Sequence, residues 1–164
     1  MRTIAFCFLS ALLVFALTRC SKDEKIPVNI GDVTGIWYEE DSLVDYNRIS
    51  RLEYNFKADS SLEIQRIELD INTREVLGYR YRTIGDYMLV GDKLSFLNQV
   101  SYGNDDTKGP YTEIENLKLI PDENGISYTI TCRFGDNGNK LVFIYPPCGE
   151  LANCIGSKTL TKKE

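Results

Sequence analysis

Five cysteines and two runs of acidic residues are the parts of this chain whose residue types could do chemistry. Glu39-Glu40-Asp41 and Asp105-Asp106 offer neighbouring carboxylates, the pairing that glycoside hydrolysis needs. Adjacent residues on a strand, however, point to opposite faces, so such neighbours do not converge on one substrate. They read as solvated faces or loops. Asp136-Asn137-Gly138-Asn139 is short of acidic ligands for a calcium loop and reads as a hairpin turn. Histidine is absent. That removes the commonest general base near neutral pH, and with it Ser–His and Cys–His catalysis and histidine-built zinc sites. An enzyme here would have to work with a carboxylate, a tyrosine or a bound metal. The residues therefore predict a non-enzymatic protein with no cofactor and no metal.

Cys7 and Cys20 lie at the start of the chain. Arg2 is followed by an apolar run from Ile4 to Leu17 that holds no charge and Ser10 as its one hydroxyl, and Thr18-Arg19-Cys20 then breaks into Ser21-Lys22-Asp23-Glu24-Lys25. A positive start, an apolar middle and a sharp polar break are what the export machinery requires. The run is short for a bilayer span, which takes ~20 residues. The segment resembles a bacterial lipoprotein signal, with Leu17 and Cys20 where that pattern places them. The resemblance implies cleavage before Cys20 and attachment of lipid to its sulfur. At ~0.8 kcal/mol per buried methylene, two or three acyl chains hold a domain on a membrane effectively permanently. Lys22-Asp23-Glu24 resembles the export signal that one phylum of Gram-negative bacteria carries behind the lipidated cysteine. It implies an outer-membrane lipoprotein displayed on the cell surface, the periplasmic face being the alternative.

Removal of residues 1–19 takes Arg2 and Arg19 from the 19 basic side chains and none of the 24 acidic ones, so the net charge moves from −5 to −7. Such a surface repels phosphate backbones and makes nucleic acid a poor partner. The remaining chain is of a length for one domain with a real core. Cys132, in phase with Ile126, Tyr128, Ile130 and Phe134, is expected on a buried face as a small hydrophobe. Cys148 and Cys154 are spaced so that a disulfide could clip the C-terminal tail, in an oxidising compartment. Pairing of Cys132 with either of them is the competing arrangement.

Period-two alternation dominates from Gly35 onward. Gly35-Ile36-Trp37-Tyr38 opens a first strand, and Leu52, Tyr54 and Phe56 alternate with polar residues. After the turn Ala58-Asp59-Ser60-Ser61, Leu62 and Ile64 give way to Ile67, Leu69 and Ile71. That one-residue flip of the apolar phase predicts a bulge in the strand. Tyr79, Tyr81 and Thr83, then Tyr87 and Leu89, lead through Gly91-Asp92 to Leu94 and Phe96. Residues 103–110 form the longest polar loop, with Tyr102 and Tyr111 beside it as the tyrosines expected to be exposed. Ile114–Ile120 reads as a strand, and Ile126–Phe134 with Leu141–Tyr145 as a closing hairpin. Eight or nine evenly spaced strands predict an all-β sandwich or barrel.

Gly35-Ile36-Trp37, and Gly85-Asp86-Tyr87-Met88-Leu89-Val90-Gly91-Asp92-Lys93-Leu94, resemble the first strand and middle hairpin of bacterial lipocalin-like domains. That resemblance implies an antiparallel β-barrel of about eight strands over residues 32–146, after a signal peptide (1–19) and a lipidated polar tether (20–31). Residues 147–164 are left as a cysteine-containing tail. In lipocalins the motif tryptophan packs beneath a basic residue from a late strand, which makes Trp37 and Arg133 the implied pair closing the barrel. Asp41-Ser42-Leu43 resembles a short O-glycosylation sequon of the same phylum. The expected partners are the outer membrane, through the lipid, and a small hydrophobic molecule or envelope component bound in the barrel. The alternative is a filled barrel whose surface binds protein or glycan. Inward-facing Tyr54, Phe56, Tyr128 and Phe143 would lean towards filling.

Overall fold

The computed structural model describes residues 33–105, 109–121, 125–147 and 156–164. Cys20, Lys22, Asp23, Glu24, Cys148 and Cys154 lie outside them. Nine strands follow one another: β1 (Gly35–Leu43), β2 (Arg48–Phe56), β3 (Ser61–Asp70), β4 (Val76–Val90), β5 (Lys93–Gly103), β6 (Lys118–Leu119), β7 (Ile126–Gly135), β8 (Lys140–Ile144) and β9 (Ser157–Lys162). All pairings are antiparallel. β6 adds two residues to the upper edge of β5, beyond the reach of β7. The other eight strands pair in chain order, and β9 returns to β1, so they form a closed ring. Closure of this kind removes the free edges that would otherwise invite aggregation.

Two sequence expectations are corrected here. The tail supplies β9, which sits between β8 and β1, because Leu160 alternates with lysines and threonines and is fully buried opposite Leu141. The region Ile114–Ile120 makes one 3₁₀ turn (Ile114–Asn116) before the short β6, so most of it is not strand.

The ring has two unlike ends. The β2–β3, β4–β5 and β7–β8 turns gather at the end where the chain enters at Val33 and leaves at Glu164. Here Trp37 is fully buried, and its indole N–H donates to the Val33 carbonyl over 2.8 Å. Phe134 packs on it with ring centroids 5.7 Å apart. The Tyr87 hydroxyl donates to the Lys57 carbonyl (2.9 Å), and its N–H donates to the Ser60 carbonyl (2.9 Å). The middle hairpin is thereby tied to the β2–β3 turn. Gly85 is required because a Cβ there would meet the Leu97 carbonyl oxygen at 2.7 Å, where β5 bulges. This is the plugged end. Above it, Tyr54, Phe56, Tyr87, Phe96 and Phe143 interlock with ring centroids 5.0 to 6.4 Å apart. Offset and edge-on aromatic packing of this kind fills the ring rather than leaving a channel.

The opposite end carries the connections 44–47, 71–75, 104–125 and 145–156. There the polarity of the wall inverts. β3 stays in unbroken register with β2 throughout. Leu62 and Ile64 face the interior with Phe56 and Tyr54, and so do Arg66 and Glu68 further along, while Ile67 and Leu69 face outward into a second apolar cluster with Ile49, Ile71 and Tyr79. The flip of apolar phase in β3 thus marks a change in what the two faces are made of, not a bulge in β3. The extra residues sit on β4, at Arg80 and Leu77, where that strand wraps past β3.

Candidate functional site

Strand alternation brings one set of polar side chains to the interior of this second end, the mouth of the ring. Trp37 and Glu39 share the inner face of β1, opposite Tyr54 and Leu52. Glu39 pairs with Lys158 of β9 at 2.6 Å. Glu40, its neighbour, points outward to Arg51 and Arg74, each at 2.6 Å. The two acids are splayed as strand geometry requires, and no paired-acid centre forms. Burial opposes ionisation of Glu40, but hydrogen bonds from Arg74 and Arg51 outweigh it and hold the carboxyl below its ordinary value.

Across the mouth, Glu68 is fully buried. It accepts a hydrogen bond from the Ser50 hydroxyl (3.0 Å), and Arg48 Nε lies 3.0 Å from its other oxygen at an angle too bent for a good hydrogen bond. Arg66 donates to Ser50 over a long 3.4 Å and rests above the Tyr81 ring, 6.0 Å from its centroid. Thr83 and Ser101 share a hydrogen bond of 2.9 Å. Gln99 is buried, and its Nε2 has no hydrogen-bond partner. An unsatisfied amide at such a depth carries a desolvation cost that a ligand acceptor would relieve.

Four tyrosines complete the lining of the mouth. Tyr54 is buried at its floor, Tyr81 and Tyr145 line the wall, and Tyr128 stacks on Phe96 (4.8 Å between centroids) while remaining 39% exposed. Burial raises the Tyr54 hydroxyl well above the ordinary tyrosine range, and the proximity of Tyr145, Tyr128 and Tyr81 adds to this. Tyr145 is pushed up to about 12, first by burial and then by Tyr128, against the opposing effect of the Tyr54 hydroxyl. Burial also raises Tyr81 and Tyr128, with Arg66 and Gln99 respectively acting the other way. These hydroxyls therefore stay protonated, as hydrogen-bond donors and acceptors.

The residues singled out from sequence divide clearly. Trp37 is central to the plugged end, but Arg133 is exposed. Alternation on β7 turns Cys132 and Phe134 inward and Arg133 outward, and the cation over the Trp37 ring is Lys162 of β9, at 5.4 Å. Cys132 is fully buried and unpaired, and burial pushes its thiol up to about 11. Tyr102 and Tyr111 are only half-buried, whereas Tyr46 is strongly exposed and Tyr128 the next most exposed among the tyrosines of the described residues. Asp105 accepts from Lys118 at 3.3 Å, and Asp136–Gly138 forms a 3₁₀ turn with Asn137 at φ 55°. Among the described residues no group of three His, Cys, Asp or Glu side chains could hold a metal. The mouth residues Arg66, Glu68, Gln99 and Lys158 were not identified from sequence. The signal that could have found Arg66 and Glu68 was the phase flip in β3, which placed them on the same face as Leu62 and Ile64.

Comparison of the chain with protein-family models, with curated proteins and with solved structures gives no match.

Proposed function

We propose that this chain is a lipid-anchored, surface-displayed outer-membrane lipoprotein whose ring of strands is a lipocalin-like, non-enzymatic binding domain. The lipid on Cys20 would hold it on the membrane, and Lys22-Asp23-Glu24 would direct it outward. Its mouth would receive a small molecule or envelope component. The observation that supports this most directly is the inversion of the interior, filled with aromatic rings at one end and lined with tyrosines and charged groups at the other. A wall with a buried, unpartnered amide at Gln99 is organised for a polar guest. The aromatic packing below it leaves the hydrophobic ligand expected from sequence without room at depth.

The second reading is an interaction module whose ring is simply filled. It draws on the exposed Val44, Tyr46, Leu119 and Ile126, which lie on or beside the mouth-end connections. Native mass spectrometry of the full chain, extracted from its own host in mild detergent, separates the two. A stoichiometric mass lost on denaturation is the expected result and would give the class of the guest. A clean apo mass in every preparation would favour the interaction module.

A further inference from the structure

One cation inside the mouth, Arg66, lacks the close carboxylate that the others have. Glu39 is engaged by Lys158, and Glu68 by Arg48 and Ser50. Arg66 has no carboxylate within 4.0 Å among the described residues. Its polar contacts are with hydroxyls: a 3.4 Å hydrogen bond to Ser50, which already donates to Glu68, and the Tyr81 hydroxyl beneath it. Asp41, across β1 from Ser50, is exposed at the rim and makes no such pair. Gln99, only 7% exposed, adds an amide beside the Tyr128 hydroxyl whose Nε2 makes no hydrogen bond of good geometry. Tyr81 and Tyr128 stand between these two, Tyr81 under Arg66 and Tyr128 beside Gln99. Arg66 is thus a guanidinium held by hydroxyls alone, without a carboxylate partner. A fork of guanidinium N–H groups with no carboxylate of its own matches a guest carboxylate better than any neutral acceptor. One face of Tyr128 is taken by Phe96, and its exposure leaves the other for a ring.

We infer that the mouth is a carboxylate site, taking a compact ring-bearing organic acid with its carboxylate against Arg66 and its ring against Tyr128. This rests on the reading of the mouth as a binding cup. It also limits the size of the guest: Tyr54, Phe96 and Phe143 close the space beneath, so a long acyl chain has nowhere to go.

The test uses the full chain in detergent micelles and four probes, followed by calorimetry. Benzoate and glucuronate carry the carboxylate on a flat ring and on a sugar ring, and benzamide and glucose are their uncharged counterparts. At least one acid should bind, its counterpart about tenfold more weakly or worse. Which acid binds distinguishes an aromatic from a saccharide source. Arg66→Met should weaken the acid about tenfold and leave the uncharged counterpart unchanged. Should that variant fail to fold, Gln99→Leu, which removes an unsatisfied amide, should fold at least as well as the parent and still weaken the acid. Equal binding of acid and counterpart, no binding of either acid, or unchanged acid binding in Gln99→Leu and Arg66→Met would each overturn the inference. A resident neutral guest found by native mass spectrometry would overturn it too while leaving the cup itself standing.

Discussion

Tyrosine does two jobs in this chain, and the hydroxyl environment separates them. Tyr87 is a structural tie whose O–H closes on the Lys57 carbonyl. Tyr54, Tyr81, Tyr128 and Tyr145 face one another around the mouth, and burial holds every one of them in the neutral form. A tyrosine held neutral in the fold but free to ionise when unfolded stabilises the native state only while both forms are protonated. That contribution is whole below the unfolded value of ~10. It falls as pH rises through the folded values, about 12 for Tyr145, because the unfolded chain then binds fewer protons than the native one. Resistance to denaturant should therefore drop between pH ~10 and pH ~12, and an ultraviolet titration should show a delayed group of tyrosines ionising together with unfolding. A single wave in which all ten tyrosines ionise near pH ~10 with the fold intact would contradict the burial argument.

At the scale of elements, the closing strand carries the greatest consequence. β9 fills the gap between β8 and β1, places Leu160 in the core, sets Lys162 over Trp37 and brings Lys158 to Glu39. Ending the chain after Pro147 would remove all three and expose the edges of β1 and β8. The shortened protein should lose its cooperative unfolding transition and aggregate, as read by near-ultraviolet circular dichroism and size-exclusion chromatography. A soluble product with native tertiary signal would mean that seven strands suffice. This strand is also where the sequence was hardest to read. Ser157–Lys162 has one apolar residue in six, and its pairing is fixed by distant partners rather than by its own pattern. The strongly alternating strands β2, β4, β5 and β7 were legible, as were the hairpin at Gly91-Asp92 and the inward Phe56 and Phe143. Binary pattern also hid the mouth, since a polar inner face and an apolar outer face look identical to a slipped strand when only one chain segment is in view. Ile67 and Leu69 share one face, as their spacing implies, but the flip of phase that predicts a bulge in β3 instead puts them on the outer face of an unbroken strand. The Trp37 partner was missed for a related reason. The basic residue was sought on β7, whose alternation excludes it, because the strand that provides it had not been recognised.

For the whole molecule, strand polarity sets an orientation. β1 starts at the plugged end and β9 finishes there, so the chain preceding Val33 joins the ring on the side away from the mouth. A tether that starts at a lipidated Cys20 would therefore attach beneath the plug, with the mouth and the connections 44–47, 71–75 and 104–125 directed off the membrane. Such an arrangement suits a domain that meets its guest in the medium, and it makes anchor and mouth separable. Cys20→Ala should move the protein from the membrane to the soluble fraction, because one covalent attachment supplies the whole of the membrane affinity in this reading. The same variant should keep the parent's binding to whatever occupies the mouth, since the chain enters the ring at Val33, at the opposite end. Protease applied to intact cells should remove the domain of the parent protein. Complete protection on intact cells, with cleavage after outer-membrane permeabilisation, would place it on the periplasmic face. Tight membrane association of Cys20→Ala would defeat the lipid anchor itself.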